Sequence, residues 1–448
     1  MPYRESLLLT DLYQLAMLQA YADHGFGATA VFELFFRKLP PRRGFLMAAG
    51  LDQALGFLEE ARFSAEDCAA LRRAGDFPER FIADLAAFRF TGDVDAMPEG
   101  TIFFPDEPVL RVIAPLPQAQ LVETRLLNLI HFETVIASKA ARMVLAAPGK
   151  QLVDFGLRRA HGAEAGRLAA RASYLAGFAG TATLEAALGF GISAYGTMAH
   201  SFIQAHDDEV TAFEHFARSR PKGVVLLIDT YDTERAAEKV ATLAKRLAQD
   251  GIAIRGVRLD SGDLAAHARR VRAILDAHGL KDITIFASGG LDEDALAAFT
   301  RAGAPIDGYG IGTSLTTASD VPALDCAYKI QEYAGVARRK RSEGKATWPG
   351  RKQVWRRSTD AGRFAGDTLG LVVESHAGEA LLRPVMRNGR QLAGAPSLDE
   401  IRGHAADQLR RLPEELRQLE PLSYPVTISA ELRALAETCD RRAAAAER

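Results

Sequence analysis

Only three cysteines occur among the 448 residues, Cys68, Cys326 and Cys439, far apart and never in a C-x-x-C spacing. That scarcity excludes a disulfide framework and a thiolate zinc cage, and it fits a reducing cytoplasm. Charge of one sign is missing too: 55 Lys and Arg stand against 57 Asp and Glu, a net charge of -2. No global field draws nucleic acid or an anionic membrane, so an anionic ligand must be caught by local groups. No apolar run approaches the ~20 residues of a spanning helix. The apolar stretch from Ser6 to Leu18 is broken by Asp11 and Gln14 and leads to no small-residue cleavage site, so no signal peptide is read. No repeat of fixed period is present. What is there is a globular balance, 48% hydrophobic and 25% charged residues. At ~150 residues per domain the length allows about three ordinary domains, or one large barrel with an extra layer.

The organisation changes twice along the chain. TDLYQLAMLQAYADHG predicts a helix, with Thr10 as cap candidate and Leu12, Leu15, Ala16 and Gln19 at helical spacing. Tyr13 falls off that stripe, with Met17, Ala20 and Tyr21, on a face that could meet another chain. A strand-like run, a Pro/Arg turn and helical text follow to about Phe90. Residues 92 to 117, with five prolines between short apolar runs, read as a small β-rich layer. Residues 118 to 147 form an unbroken helical connector. After Pro148-Gly149 short β-rich runs alternate with amphipathic helices: QLVDF (151–155), GISAY (191–195), VVLLID (224–229), IAIRGVRLD (252–260), ITIFA (283–287) and IDGYG (306–310), with the clearest helices at 232–249, 263–279 and 292–302. This alternation implies a parallel sheet in an α/β fold, closed or nearly closed into a TIM-like barrel; a doubly wound open sheet is the other possibility. The expected domains are 1–147, 148–335 and 336–448, the last ending in a frayed RRAAAAER tail.

In an α/β barrel the loops after the strand C-termini build the active site. Here those loops hold Asp154, Phe155, Gly156, Arg158 and Arg159; His200 in YGTMAHSF; Asp229-Thr230; Arg258, Asp260, Ser261, Gly262 and Asp263; Ser288, Gly289 and Gly290; and Gly310, Gly312 and Thr313. Two successive glycine loops fit phosphate cradling, since glycine lets backbone N–H groups approach an anion; each alone also fits a tight turn. Ser261 and Asp263 also read as helix caps. Arg258, near the end of a buried strand, needs an anionic partner. His200 is open to a structural, metal-binding or catalytic role, with Asp229 and Asp260 placed to orient it. The cluster HDDE (206–209) reads as a solvated helix start rather than a metal site. RRKR (338–341) reads as a solvated or substrate-facing loop rather than a nucleic-acid patch.

With these residues assembled, the sequence resembles the nicotinate phosphoribosyltransferase family along almost the whole chain. The motifs are TDLYQLAM (10–17), ELFFRKLP (33–40), ETRLLNLIHFETVIASKAARM (123–143), DFGLRRAHG (154–162), YGTMAHSF (195–202), IDTYDT (228–233), VRLDSGDL (257–264), ASGGLDE (287–293) and SEGKATWPGRKQVWR (342–356). His131 departs from the asparagine frequent in relatives, and the cysteine-rich knuckle of archaeal-type relatives is absent. The resemblance implies an irregular TIM-like barrel of the type II phosphoribosyltransferases, an α/β layer built from both chain ends, and a homodimer with shared active sites. It implies transfer of phosphoribosyl from phosphoribosyl pyrophosphate to nicotinate, with ATP as co-substrate and Mg²⁺.

By resemblance His200 is phosphorylated, with Asp229 and Asp260 orienting it. Phe155 and Tyr13 of the other subunit sandwich the pyridine ring, and Arg158 and Arg258 take the carboxylate. Nicotinamide-using relatives carry an aspartate where this chain has Ala182, beside Thr181; alanine favours the acid. Gly289, Gly290, Gly310, Gly312 and Thr313 would hold the ribose phosphate, Asp260 and Asp263 ribose hydroxyls or Mg²⁺, and Lys139 and Arg142 the pyrophosphate. Arg37, Lys38, Lys345 and Lys352 lie in the motifs without an assigned partner. The rival enzymes use nicotinamide or quinolinate; quinolinate enzymes share the barrel but lack this length and the GTMAHSF histidine. VVLLIDTYDTER lacks the paired acids and glycine of the common phosphoribosyltransferase fold. A regulatory barrel without turnover would show gaps among the loop residues, and none is visible.

Overall fold

The structure is a computed structural model, and it describes residues 6–420 and 422–446. The chain forms two compact units, one from Met1–Ser138 with Ala323–Arg448, the other Lys139–Pro322.

In the first unit both chain ends meet in one sheet. Its strands lie in the order Val336–Ala337, Cys326–Tyr333, Thr29–Phe36, Pro108–Pro115, Asp93–Ala96, Arg383–Arg387 and Arg390–Gln391, each antiparallel to its neighbour. The run AVFELFF is buried along its length, as a central strand must be. Because Cys326–Tyr333 pairs with Thr29–Phe36, residues 323–335 belong to this layer and not to the barrel in which the sequence placed them. A second sheet holds Glu379–Ala380, Lys352–Ser358, Phe364–Leu371 and Val426–Ile428.

Two local expectations need correction in this unit. The N-terminal helix, Leu12–Asp23, buries Gln14, Leu15 and Leu18, so its inner stripe is shifted from the one expected and Leu12 is exposed. Gln14 is tolerated inside because it donates to Glu123 Oε2 and accepts from Gln120. The expected frayed tail is helical through Ala446: Ala430–Ala446 is one helix that buries Leu432, Ala436 and Cys439, as its alanine-rich text favours. Residues 447 and 448 lie outside the described residues.

The second unit is the α/β barrel. Its six strands run in the order Gly180–Thr181, Gln151–Asp154, Gly308–Ile311, Thr284–Ser288, Ile254–Leu259 and Val224–Leu227, all parallel. The sheet curls without closing, since no ladder joins its two edge strands among the described residues. The strand expected at GISAY lies instead at Gly180–Thr181, and Ala194 makes only an isolated bridge to Thr181. The helices Thr233–Gln249, Leu264–Ala277 and Glu293–Arg301 fall where the 3.6-residue period predicts them, each opened by an aspartate that accepts a backbone N–H: Asp232, Asp263 and Asp292. Thr233–Gln249 buries Ala236, Ala237, Val240, Ala241, Leu243 and Leu247. Truncating a buried leucine such as Leu247 to alanine costs about 2–5 kcal/mol.

Candidate active site

The strand ends of the barrel unit surround a cleft of about 290 Å³ lined by Phe155, Leu157, Arg158, Ala182, Gly196, Thr197, Met198, Ala199, Arg258 and Asp260. Five of the expected site residues therefore meet at one place. The Phe155 ring lies against Phe286, with centroids 5.9 Å apart. Gly310 fixes where that ring can sit, because a Cβ there would come within 2.5 Å of Phe155 Cδ2 and Cε2. Gly310 is thus required by packing against Phe155.

Beneath Phe155 the chain is braced by Asp154. Its carboxylate, buried and pushed above the usual aspartate range by that burial, accepts from Gly156 N–H at 2.8 Å and from Thr181 Oγ1 at 2.6 Å. Thr181 is therefore a buried support for the Ala182 turn, and Ala182 itself faces the cleft.

Among the described residues no carboxylate is hydrogen-bonded to Arg258. Its Nη2 donates to Met198 O at 3.2 Å, and its Nε is buried without a hydrogen-bond partner. Burial holds the guanidinium below the usual arginine value; Asp260 and Asp229 oppose that shift, and the like charge of Arg158 adds to it. Among the described residues no anionic partner is thus bonded to Arg258, and Arg158 stands close enough for the two cations to repel. A desolvated guanidinium with a second, exposed one near it, beside an aromatic face, is an arrangement that a planar carboxylate completes.

His200 opens the short helix His200–Gln204, and Thr230 Oγ1 lies 3.1 Å from its Nδ1. Its Nε2 lies 3.8 Å from Asp260 Oδ2. Asp260 is thus beside the ring as expected, but Asp229 is not. Asp229 Oδ2 accepts from Asp260 N–H at 2.8 Å and Ser261 Oγ at 2.7 Å, which ties two adjacent strand ends together. The Asp229 Oδ2, one residue before Thr230, is taken by the Asp260 N–H and the Ser261 hydroxyl, and the Thr230 hydroxyl reaches the ring instead. The sequence names Thr230 at a strand end without giving it a task; its only signal is that position.

The remaining predicted residues are placed elsewhere. Asp263 is the cap of Leu264–Ala277, accepting from Ala266 N–H at 3.0 Å. Lys139 and Arg142 do not reach the cleft: Lys139 Nζ is buried 2.6 Å from Glu293 Oε2 and 2.7 Å from Asp320 Oδ1, and Arg142 Nε lies 3.3 Å from Glu293 Oε1. Gly289 is required by close approach, since a Cβ there would sit 2.1 Å from Asp260 O. Gly290 is exposed, but the helix beyond is already capped by Asp292 and carries Glu293 and Asp294 in its first turn, so the loop alone remains to donate to an anion. Gly312 opens the helix Thr313–Thr316 with no side-chain cap and no acid in the first turn.

In the first unit, Tyr13 is half exposed beside exposed Leu12 and Leu9. Arg37 pairs with Asp325 at 2.8 Å, Lys352 is buried against Glu33 at 2.7 Å, and Lys38 and Lys345 are exposed. HDDE is a helix start, with Asp208 accepting from Thr211 N–H, and Arg339 of RRKR pairs with Asp440. No group of three or more His, Cys, Asp or Glu able to hold a metal ion is found among the described residues, and no helix among them is long and apolar enough to cross a membrane.

Residues 8–131, 150–348 and 371–436 match, in order, the nicotinate phosphoribosyltransferase (NAPRTase) N-terminal domain, the nicotinate phosphoribosyltransferase (NAPRTase) family and the nicotinate phosphoribosyltransferase C-terminal domain. The chain is 54% identical over 425 residues to nicotinate phosphoribosyltransferase pncB2 of Mycobacterium tuberculosis (strain ATCC 25618 / H37Rv), covering 94% of this chain and 91% of the relative. It is 36% identical over 454 residues to nicotinate phosphoribosyltransferase of Bacillus subtilis (strain 168), covering 94% and 92%. Among solved structures, human nicotinic acid phosphoribosyltransferase superposes with a TM-score of 0.86 at 31% identity, covering 96% of this chain and 99% of that one. Nicotinate-nucleotide pyrophosphorylase from Pyrococcus furiosus gives 0.74 at 25% identity, covering 91% and 98%.

Proposed function

The chain belongs to the nicotinate phosphoribosyltransferase family, and on that premise we propose that it makes nicotinate mononucleotide for NAD salvage, coupled to ATP hydrolysis through phosphorylation of His200. The observation that carries the reading is the cleft itself: Phe155 beside two guanidiniums, one of them desolvated with an orphaned Nε, and Ala182 in place of a carboxylate. Phe155 offers one face to the pyridine ring, while Arg258 and Arg158 take the carboxylate. A second copy of the chain supplies Tyr13 to the other face in a homodimer, a role supported by its exposure beside Leu9 and Leu12.

In the transfer, the pyridine nitrogen lone pair forms the bond to ribose C1 as the bond from C1 to pyrophosphate breaks, and its electrons leave with pyrophosphate. No proton moves at the nitrogen, so no general base is needed. The chain's task is positioning and charge: the loop at Gly289 and Gly290 and the turn at Gly312 and Thr313 offer N–H groups to the ribose phosphate. Asp260, at the edge of the cleft, and Asp229, whose Oδ1 is buried without a hydrogen bond, are the carboxylates that would meet Mg²⁺. Bound beside these carboxylates, Mg²⁺ would supply part of the positive charge that the pyrophosphate oxygens require.

The test is product formation by the purified protein from phosphoribosyl pyrophosphate and Mg²⁺ with nicotinate, nicotinamide or quinolinate, with and without ATP. Nicotinate mononucleotide should form and be enhanced by ATP. Product from nicotinamide but not nicotinate would overturn the Ala182 argument, and His200→Ala with undiminished ATP turnover would remove His200 from its role.

A further inference from the structure

We propose that Asp154 and Thr181 are a positioning pair for the pyridine ring: the bond between their side chains ties the turn that carries Phe155 to the turn that carries Ala182, so that the aromatic face and the position that selects the acid are held as one. The inference rests on the proposed reading that nicotinate binds in this cleft. Asp154 ends the strand Gln151–Asp154, and Thr181 ends its edge neighbour Gly180–Thr181. Their ladder holds two residue pairs, Val153 with Gly180 and Asp154 with Thr181. So short a ladder at a sheet edge opens readily, and the cleft residues Phe155 and Ala182 follow directly after it. The side chains carry the link past the end of the ladder. Asp154 Oδ1 accepts from Gly156 N–H at 2.8 Å, which closes the turn under Phe155, and Oδ2 accepts from Thr181 Oγ1 at 2.6 Å. Thr181 Oγ1 accepts in its turn from Thr183 N–H at 2.9 Å, and Ala182 N–H donates to Asp154 O at 2.8 Å. One chain of hydrogen bonds thus runs from Gly156 through both side chains to Thr183, with Phe155 enclosed at one end and Ala182 at the other.

The residue types point the same way. Asp154 and Thr181 are buried, and among the described residues no cation is bonded to the carboxylate. A buried carboxylate without a counter-ion is unfavourable, and an apolar pair of similar volume would hold the two strands at least as well. What the carboxylate adds is two acceptor oxygens and no donor, so it takes the Gly156 N–H and the Thr181 hydroxyl together; an asparagine has one oxygen and would turn an N–H toward one of those donors. Neither Asp154 nor Thr181 lines the cleft, so the pair acts on a ligand only through Phe155 and Ala182.

The experiment compares wild-type enzyme with Thr181→Val, which keeps the shape and loses the hydroxyl, and Thr181→Ser, which keeps the hydroxyl. The KM for nicotinate should rise about tenfold in Thr181→Val, the effect of one lost hydrogen bond passed on to the bound ring. Its kcat and its KM for phosphoribosyl pyrophosphate should stay within about threefold of wild type, and Thr181→Ser should stay within about threefold in every constant. Hydrogen exchange followed by mass spectrometry, on protein without substrates, should quicken about tenfold in Thr181→Val both in residues 155–159 and in residues 181–185. Exchange that quickens only in 181–185, or a variant that melts lower yet keeps its KM for nicotinate, overturns the pairing. A rise of both KM values together also overturns it, because that marks a general loosening of the barrel. A wild-type enzyme that makes no nicotinate mononucleotide overturns the proposed function instead; exchange in the two segments then still decides whether the pair joins them.

Discussion

Replacing Arg258 by methionine should separate binding from stability, because the structure gives this side chain little to do for the fold. In the absence of ligand it makes one hydrogen bond, to Met198 O, and buries an unpartnered Nε. Burial already disfavours its charge, with Arg158 adding to the effect. Exchanging such a group for an apolar one of similar length is commonly neutral or stabilising. The melting midpoint of Arg258→Met should therefore fall by no more than about 2 °C, if it falls at all. Catalysis should behave oppositely. Charge-assisted hydrogen bonds contribute about 1.5–3 kcal/mol each; taking about 3 kcal/mol for a forked contact to a carboxylate predicts a loss of about 150-fold in kcat/KM for nicotinate. Nicotinamide, with no carboxylate to lose, should suffer much less, so the ratio of the two substrates collapses. Steady-state kinetics with both substrates and a thermal melt complete the assay. A variant that melts well below wild type yet keeps its KM for nicotinate would refute the reasoning, since Arg258 would then be a structural cation.

Three further outcomes rest on packing and charge. Gly310→Ala places a methyl against Phe155, so the KM for nicotinate should rise about tenfold with a stability loss of about 1–3 kcal/mol; an unchanged KM would take Phe155 out of the binding site. Lys139→Met breaks a buried ion pair and leaves the Glu293 carboxylate to Arg142 alone, so it should cost about 3 kcal/mol of stability while the folded fraction keeps its activity within about threefold; a selective loss of pyrophosphate affinity would restore Lys139 to the site. His131 Nε2 accepts from Leu324 N–H at 2.8 Å, and burial holds its pKa below 6.5. The folded state then binds fewer protons than the unfolded one below pH 6.5, so stability is lost as pH falls through the folded value. His404 is lowered by burial as well, so the measurement is the difference in melting midpoint between His131→Asn and wild type from pH 7.5 to 5: the variant should show the shallower decline, and an equal slope would refute the assignment.

The barrel was legible because its strands and helices have different periods and each helix opens on an aspartate. Asp232, Asp263 and Asp292 mark helix starts that local physics alone predicts. The edge strand was not legible: GISAY alternates like a strand, yet the ladder forms at Gly180–Thr181, two residues with no pattern of their own, because pairing with Val153 and Asp154 is a tertiary matter. The cleft residues Phe155, Arg158, Ala182, Arg258 and Asp260 could be found by reading the loop at the C-terminal end of each strand. Which cations face inward to other side chains could not. Lys139 and Arg142 sit one turn apart on a helix and look like an anion site, but their partner Glu293 is 151 residues beyond Arg142, and only folding brings it there.

That distinction between spent and unspent charge gives the near-zero net charge its consequence. Lys139 and Arg142 are occupied by Glu293 within the barrel unit, and Lys352 and Arg37 by Glu33 and Asp325 within the other. Arginine and lysine are numerous, but a cation already bonded to a buried carboxylate offers little to a ligand. Arg258 differs, since its charge has been desolvated and its Nε left without a partner. On the proposed reading that desolvation would be relieved when a carboxylate binds, which would concentrate binding energy on the group that distinguishes the acid from its amide. Ala182 acts in the same direction by adding no second negative charge to the cleft, where Asp260 already stands. On the proposed reading, selectivity for an anionic pyridine would come from one unsatisfied cation and one missing acid, without a part for the long-range field of the protein.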